Sequence, residues 1–251
     1  MSEQASLRAL LAQKSALVVG AGGLGCPAAL LLLEAGVGRL ALADDDRVDL
    51  TNLHRQILYS DDDVGRDKLD AALQTLQSKA RPHQRVEALR TRLLPENACS
   101  LVSGFDVVIE GADNYATKFL TADACRLEAR PVVHGAAVRF RATALSVSPE
   151  GAPCYRCIFE DVPPADAGLS CAEAGVTGPL VGVAGALLAD LALGVLTGAP
   201  RYGTLYTFDG LGDRLRGIEL LPRPSCTLCG ESPMISRIDE LCYRQPSLGL
   251  G

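Results

Sequence analysis

Apolar runs and amphipathic stretches alternate through the first two-thirds of the chain. Short, β-branched apolar runs predict buried parallel strands over 16–20, 39–43, 105–110 and 131–137, with a further strand over 85–89. Apolar residues at helical spacing predict helices over 28–35, 68–79 and 118–128. Because strands and helices alternate, we expect an α/β fold with a doubly wound, Rossmann-like, mostly parallel sheet that binds ligands at the carboxyl ends of its strands.

The pattern changes after residue 141. Residues 142–147, 203–209 and 214–220 resemble antiparallel strands, and a long apolar helix is predicted over 180–196. Asp190 and several glycines interrupt that helix, which favours a buried position over a membrane span. We therefore expect one domain over 1–251, with a nucleotide-binding part over about 14–140, a second part with the antiparallel extension over about 141–230, and a tail over 231–251 with little pattern.

Composition restricts the range of partners. The chain has 251 residues and a formal net charge of −6, and its basic residues are scattered. These features give no reason to expect nucleic acid or an anionic membrane surface as a partner. The first residues do not form a charged segment followed by an apolar one, so we expect a cytoplasmic protein.

A glycine-rich loop follows the first predicted strand and precedes a helix. The loop reads Gly20-Ala-Gly22-Gly23-Leu-Gly25, and Asp44 ends the next strand 19 residues after Gly25. In this context the glycines allow close approach of a phosphate, and the acidic residue is placed to accept a ribose hydroxyl. A plain strand–helix joint is the structural alternative. Of the two carboxylates after Asp44, we interpret Asp45 as part of a solvated turn, although three adjacent carboxylates can also help to hold Mg²⁺.

Four of the nine cysteines form two pairs, Cys154-x-x-Cys157 and Cys226-x-x-Cys229. Two such pairs supply a complete tetrahedral thiolate set, which predicts a closed, structural zinc site that joins distant segments. The alternative is a pair of redox-active motifs, which we expect only at the start of a helix, and no helix is predicted at either pair. Cys171 lies in a Pro/Gly/Ala-rich loop over 160–178, where both a covalent nucleophile and an inert thiol fit the sequence.

Together these motifs resemble the ThiF/MoeB/HesA family, the bacterial relatives of ubiquitin-activating enzymes. The resemblance extends from Ala16 to Gly230 and also includes, in order, Asn52-Leu-x-Arg55-Gln56, Lys68, Gly111-Ala-Asp113-Asn114 and Cys171-x-x-Ala174-Gly175-Val-x-Gly-Pro179. It implies ATP-dependent adenylylation of the C-terminal glycine of a ubiquitin-like sulfur-carrier protein of the ThiS/MoaD type, which ends in Gly-Gly. It also implies that residues 141–230 bind the carrier and the zinc ion.

The resemblance assigns roles to individual residues. Arg55 and Lys68 are expected to stabilise charge on the phosphates, Asp113 is expected to bind Mg²⁺, and Cys171 matches a cysteine that some members use to bond the activated carrier. The expected nucleotide contacts are Gly20, Gly22, Gly23, Gly25, Asp44, Asp46, Thr51, Asn52, Leu53, His54, Arg55, Lys68, Asp113 and Asn114.

The resemblance also implies a homodimer, a separate sulfur donor, and a pathway to thiamine or the molybdenum cofactor, with a slight lean towards thiamine. Family members usually begin with an Arg-Tyr-x-Arg-Gln segment that reaches the partner's active site, whereas this chain begins Met1-Ser-Glu-Gln. We expect another cation, such as Arg139, to replace it, or activity to be weakened to that of a carrier-binding scaffold. An NAD-dependent Rossmann oxidoreductase is the further alternative, but it gives Arg55, Lys68 and Asp113 no role.

Overall fold

The computed structural model describes residues 3–163 and 175–243. Its strands are β1 (Ser15–Val19), β2 (Arg39–Asp44), β3 (Arg85–Arg90), β4 (Val107–Glu110), β5 (Val132–Val138), β6 (Arg141–Val147), β7 (Thr204–Asp209) and β8 (Arg214–Glu219). Its helices are α1 (Glu3–Leu11), α2 (Gly25–Ala35), α3 (Lys68–Lys79), α4 (Ala98–Ser103), α5 (Tyr115–Leu127), α6 (Tyr155–Phe159) and α7 (Gly178–Leu196).

The eight strands form one sheet in the order β3-β2-β1-β4-β5-β6-β7-β8. The first five strands of this order are parallel, and the last three add to them in antiparallel fashion. Within the parallel half, Val18 of β1 pairs with Leu42 on one side and with Ile109 on the other. All three are fully buried, because helices cover both faces of the sheet. The predicted parallel sheet with an antiparallel extension is confirmed.

The sheet separates the core into two clusters, one on each face. One contains apolar residues of α2, α3 and α7, and the other contains residues of α4, α5 and the cysteine-bearing segments. By length and composition, α7 is apolar enough to cross a membrane, with a mean hydropathy of 2.0, yet half of its apolar window is buried within the protein. It packs against α2, β5 and β6. The predicted buried position of this helix therefore agrees with its packing.

Several boundaries differ from the sequence-based predictions for local reasons. Helix α5 begins at Tyr115, three residues before the predicted start, because the Asn114 side chain accepts a hydrogen bond from the Thr117 amide and caps the helix. Strand β4 begins at Val107 rather than residue 105, and the preceding Asp106 carboxylate accepts hydrogen bonds from the amide and hydroxyl of Ser15. Helices α1, α4 and α6 were not predicted.

Candidate nucleotide site and thiol cluster

A cavity of about 600 Å³ opens at the carboxyl ends of β1, β2 and β4. The glycine loop, the acidic end of β2 and the segment after β4 all contribute to its wall. Among the predicted site residues, those that line it are Gly20, Gly22, Gly23, Asp44, Asp46, Asn52, Arg55, Lys68, Asp113 and Asn114. The sheet therefore brings together residues that are up to 94 positions apart in the chain.

The glycine loop requires glycine at both of its ends. Gly20 has φ of +91°, which side chains disfavour, and a Cβ on Gly25 would lie 1.9 Å from the Gly20 carbonyl oxygen. Gly25 thus allows the loop to close at the start of α2, although it does not line the cavity itself. The helix N-terminus behind the loop presents amide groups and a partial positive charge to an anion.

Asp44 connects the glycine loop to the acidic turn. One carboxylate oxygen accepts a hydrogen bond from the Ala21 amide at 2.7 Å, and the other accepts one from the Asp46 amide at 2.8 Å. The Lys68 ammonium group is buried, and it lies 3.0 Å from the Asp46 carboxylate and 3.9 Å from that of Asp44. Partial burial opposes ionisation of Asp46, but Lys68 and Arg92 together hold the pKa of that carboxyl below its ordinary value.

Arg92 is a functional candidate that sequence reasoning missed. Its Nε lies 2.6 Å from the Asp45 carboxylate and its Nη2 lies 3.2 Å from that of Asp46. Asp45 is exposed, as predicted, but it is paired. Arg92 follows β3 by two residues, so its position at the same edge of the sheet was the available signal. The three adjacent carboxylates are within 4.8 Å of one another, and Lys68 and Arg92 already neutralise part of their charge.

Arg55 extends along the glycine loop. Its Cγ would lie 3.3 Å from a Cβ added to Gly23, and its guanidinium donates to the Asn52 amide oxygen at 2.5 Å. The neighbouring Thr51, Leu53 and His54, which were predicted to contact the nucleotide, do not line the cavity within the described ranges. Thr51 instead bonds to Asp49, and the His54 ring bonds to the Thr51 carbonyl.

The loop after β4 places Asp113 in the cavity. Because Asn114 caps α5, the Asp113 carboxylate is not used as the helix cap. It is exposed to the cavity, where a carboxylate can serve as a ligand for Mg²⁺. Its predicted metal role stays a prediction.

A buried ionic network on the core side of the loop after β4 holds this loop in place. Glu110 is inaccessible to solvent; one oxygen accepts from the Ala112 amide at 2.7 Å and the other from the Lys118 ammonium group at 2.8 Å. Burial alone would raise the pKa of Glu110, but the Lys118 charge and the His134 ring hold it below its ordinary value. Burial lowers the pKa of His134, which is therefore neutral at pH 7. His134 therefore contributes a buried, neutral contact to this network.

Two buried side chains, those of Tyr59 and Cys26, contact the glycine loop. The Tyr59 hydroxyl donates to the Ala21 carbonyl at 2.7 Å, and the Cys26 thiol lies 3.3 Å from the same oxygen. Complete burial raises the pKa of Cys26 to about 12, so this thiol stays protonated and unreactive. Neither residue was predicted to contribute to the site.

The four paired cysteines converge into one thiol cluster, which consists of Cys154, Cys157, Cys226 and Cys229. Their sulfur atoms lie 3.3–3.9 Å apart where they contact one another, and all lie within 4.8 Å. A zinc ion bound by four thiolates at 2.3 Å requires sulfur–sulfur separations of about 3.8 Å, so these residues fit the ion. Burial and the neighbouring Cys229 thiol raise the pKa of Cys154, an effect that a bound cation would reverse.

The expectation that neither cysteine pair lies at the start of a helix was wrong. Cys154 is the residue before α6, so the first pair does lie at the start of a helix, contrary to the prediction. The convergence of all four sulfur atoms nevertheless favours metal binding over two separate redox pairs. Cys171 lies outside the described residues. Arg139, the suggested replacement cation, is exposed and does not line the described part of the cavity.

Comparison with known proteins identifies relatives across nearly the whole chain. Residues 3–228 match the model of the ThiF family. A protein named sulfur carrier protein adenylyltransferase from Thermus thermophilus is 42% identical over 230 residues, which cover 89% of this chain and 84% of the relative. Proteins named adenylyltransferase and sulfurtransferase MOCS3 are 39% identical in Anopheles gambiae and 41% identical in Mus musculus, over 91% and 92% of this chain. The chain spans about half the length of these MOCS3 relatives.

Solved structures share the architecture. Escherichia coli MccB superimposes with a TM-score of 0.79 over 90% of this chain and 68% of its own, at 20% sequence identity. This likeness concerns the fold, and it agrees with the mixed eight-stranded sheet described above. On the match to the family model and the identity to the curated relatives, this chain belongs to the ThiF family.

Proposed function

We propose that this protein is an ATP-dependent adenylyltransferase that activates the C-terminal glycine of a ubiquitin-like sulfur-carrier protein. The observation that carries the proposal is that Arg55, Lys68 and Asp113 line the same cavity as the glycine loop. A dehydrogenase needs the loop and Asp44 but has no use for two cations and a further carboxylate at the phosphates. The names of the relatives from Thermus thermophilus and Anopheles gambiae support the same reaction.

In the proposed reaction, a carboxylate oxygen of the carrier attacks the α-phosphorus of ATP. The bond from that phosphorus to the oxygen bridging to the β-phosphorus breaks, and pyrophosphate leaves with the electron pair. Since one anion attacks another, the site must neutralise charge in the transition state. Arg55 offers two parallel donors to phosphate oxygens, and Lys68 offers a point charge that exchanges its contact with Asp46 for one with phosphate.

Asp113 would hold Mg²⁺ together with phosphate oxygens, and the bound ion would supply additional neutralising charge. The thiol cluster would hold a structural zinc ion. We further propose that the protein is cytoplasmic, that it forms a homodimer through α7, that a separate protein donates sulfur, and that the carrier serves thiamine or molybdenum-cofactor synthesis. The covalent role of Cys171 belongs to this proposal as well.

The test is isotope exchange between pyrophosphate and ATP in the presence of candidate carriers that end in Gly-Gly. Exchange should require the carrier, and it should be lost when the last glycine of the carrier is removed. Arg55→Ala and Lys68→Ala should each lower the exchange rate by about 10²–10³-fold. Lys79→Ala, at an exposed position of α3, is the matched control and should leave it unchanged.

Each alternative function predicts a different result. Tight ATP binding without exchange, for carriers of both the thiamine and molybdenum types, would favour a carrier-binding scaffold. Oxidation of NADH by a carbonyl substrate, or reduction of NAD by a hydroxy substrate, would favour the oxidoreductase. Mass spectrometry of the carrier would identify the adenylate and thereby the carrier that this protein prefers.

A further inference from the structure

The segment after the thiol cluster returns to the nucleotide cavity, although its sequence shows little pattern. Ile235 and Ile238 pack against the core cluster that contains α4 and α5. Asp239 then starts a 3-10 turn over Glu240–Tyr243, since its carboxylate accepts from the Leu241 amide at 3.0 Å. Glu240 and Tyr243 both line the cavity that the glycine loop also lines.

Tyr243 is fixed in this position by a buried anchor. Its side chain is 7% exposed, and its hydroxyl donates to the Asp123 carboxylate at 2.8 Å. Asp123, on α5, is inaccessible to solvent and accepts two further hydrogen bonds from the Arg156 guanidinium, both at 2.8 Å. Arg156 lies between the first two cysteines of the thiol cluster. The ring of Tyr243 is therefore held from the core side, in an orientation set by three hydrogen bonds to one carboxylate.

The cavity lies where the two core clusters meet, since Val181 of its lining belongs to one cluster and Leu120 and Tyr243 belong to the other. The glycine loop, Arg55 and Lys68 contribute polar and charged groups to the lining, and Arg92 and Glu240 add two further charged side chains. The apolar lining residues include Leu93, Leu94, Pro95, Ala116, Leu120 and Tyr243. Leu93, Leu120 and Tyr243 also belong to the same hydrophobic cluster, so this apolar lining continues into the core that contains α4 and α5.

A nucleoside triphosphate has the same division, with a charged chain at one end and a planar base at the other. Given that the glycine loop, Arg55 and Lys68 bind phosphates, which rests on the proposed function, the apolar lining is the surface that suits the base. We propose that Tyr243 closes the base-binding end of the cavity and determines the affinity for the nucleoside part of ATP. Aromatic rings suit this role because a base gains favourable contact with their faces and edges.

The opposing explanation is that Tyr243 only completes the hydrophobic core. Both explanations predict a loss of stability on truncation, so stability does not separate them. They differ in ligand dependence. A base contact affects ligands that contain a base and leaves those with phosphates alone unchanged, whereas a general loosening of the core affects both.

The experiment measures the dissociation constants of ATP and of inorganic tripolyphosphate by calorimetry, on the full chain with Mg²⁺. Tyr243→Ala should weaken ATP binding about tenfold and change tripolyphosphate binding by less than about twofold. Tyr243→Phe, which retains the ring, should change ATP binding by less than about threefold. Leu241→Ala is the control, since Leu241 lies in the same turn and is 69% exposed; both dissociation constants should stay unchanged.

If Tyr243→Ala does not fold, Tyr243→Leu retains an apolar anchor and should still weaken ATP binding selectively. Unchanged ATP binding in the folded variant would overturn the inference while the proposed function stands. Equal weakening of ATP and tripolyphosphate would also overturn it, since the residue would then act only through the core. Failure of the unaltered protein to bind ATP would overturn the proposed function itself, and the inference with it.

Discussion

Replacement of Lys118 by methionine tests the physical account of the loop that carries Asp113. The substitution preserves most of the side-chain length but leaves the Glu110 carboxylate in the core without its 2.8 Å partner. The side chain of Glu110 is 0% exposed and that of Lys118 is 7% exposed. Water therefore cannot reach the unpaired carboxylate and stabilise its charge. Removing one member of a buried ion pair typically costs about 3–5 kcal/mol. That cost is a large part of the roughly 5–15 kcal/mol by which a domain is stable.

The stability lost on Lys118→Met should be larger at high pH than at low pH. In the unaltered protein the pKa of Glu110 is lowered, so its contribution to stability is present above the unfolded value, near 4.5, and is lost as the pH falls through the lower, folded value. Without Lys118, burial raises the pKa of Glu110, and ionisation then destabilises the variant as the pH rises through that value. His134, whose Nδ1 lies 3.4 Å from the Glu110 carboxylate, adds to this pH dependence. Its protonation at low pH would restore a positive charge beside Glu110 and so reduce the destabilisation of the variant.

Urea denaturation at pH 5 and pH 8 measures this effect. We expect Lys118→Met to lose about 3–5 kcal/mol at pH 8, with a fall of roughly 6–20 °C in melting temperature, and to lose clearly less at pH 5. Lys79→Met makes the same chemical change at an exposed position, and it should change stability by less than about 0.5 kcal/mol at both pH values. A loss for Lys118→Met that is small, or equal at both pH values, would refute the ionic account of this network.

Three further predictions concern the site and the thiol cluster. Asp113→Asn should lower carrier-dependent exchange about 10²–10³-fold and raise the Mg²⁺ concentration needed for half-maximal exchange; an unchanged Mg²⁺ requirement would remove the metal role. Cys157→Ser should abolish stoichiometric zinc, measured by elemental analysis of the purified protein, whereas Cys99→Ser, outside the cluster, should retain it. Tyr59→Phe should cost about 1 kcal/mol in urea denaturation, because it removes the buried hydrogen bond to Ala21; a neutral result would show that Cys26 alone supports the glycine loop.

Much of the fold could be predicted from the sequence because its parallel strands are short, β-branched and buried on both faces. Strand β2 and helix α3 appear almost where their patterns place them. Helices α4 and α6 have six and five residues, too few for periodicity to distinguish them from loops. The error about the first cysteine pair has this origin, since α6 directly follows Cys154.

The candidate site was predictable where motifs are local and was missed where tertiary contacts decide. The glycine loop, Arg55 and Lys68 line the cavity as expected, because the carboxyl ends of parallel strands meet at one edge. Thr51 and His54 share a segment with Arg55, yet the 3-10 turn at Leu50–Asn52 directs them into local hydrogen bonds. Arg92 and Tyr243 have no motif of their own, and only the assembled sheet places them at the cavity.

The two cysteine pairs of the thiol cluster are translated at different times. Strands β1 to β5 are complete at Val138, so the parallel half can form before either cysteine pair has been made. Between Cys157 and Cys226 the ribosome adds 68 residues, which takes roughly 3–14 s at ordinary elongation rates. During that interval the first two thiols have no partners to complete a tetrahedral set. The first pair must therefore stay reduced until Cys229 has been translated, and the zinc ion proposed for this cluster can be bound by all four thiolates only after that point.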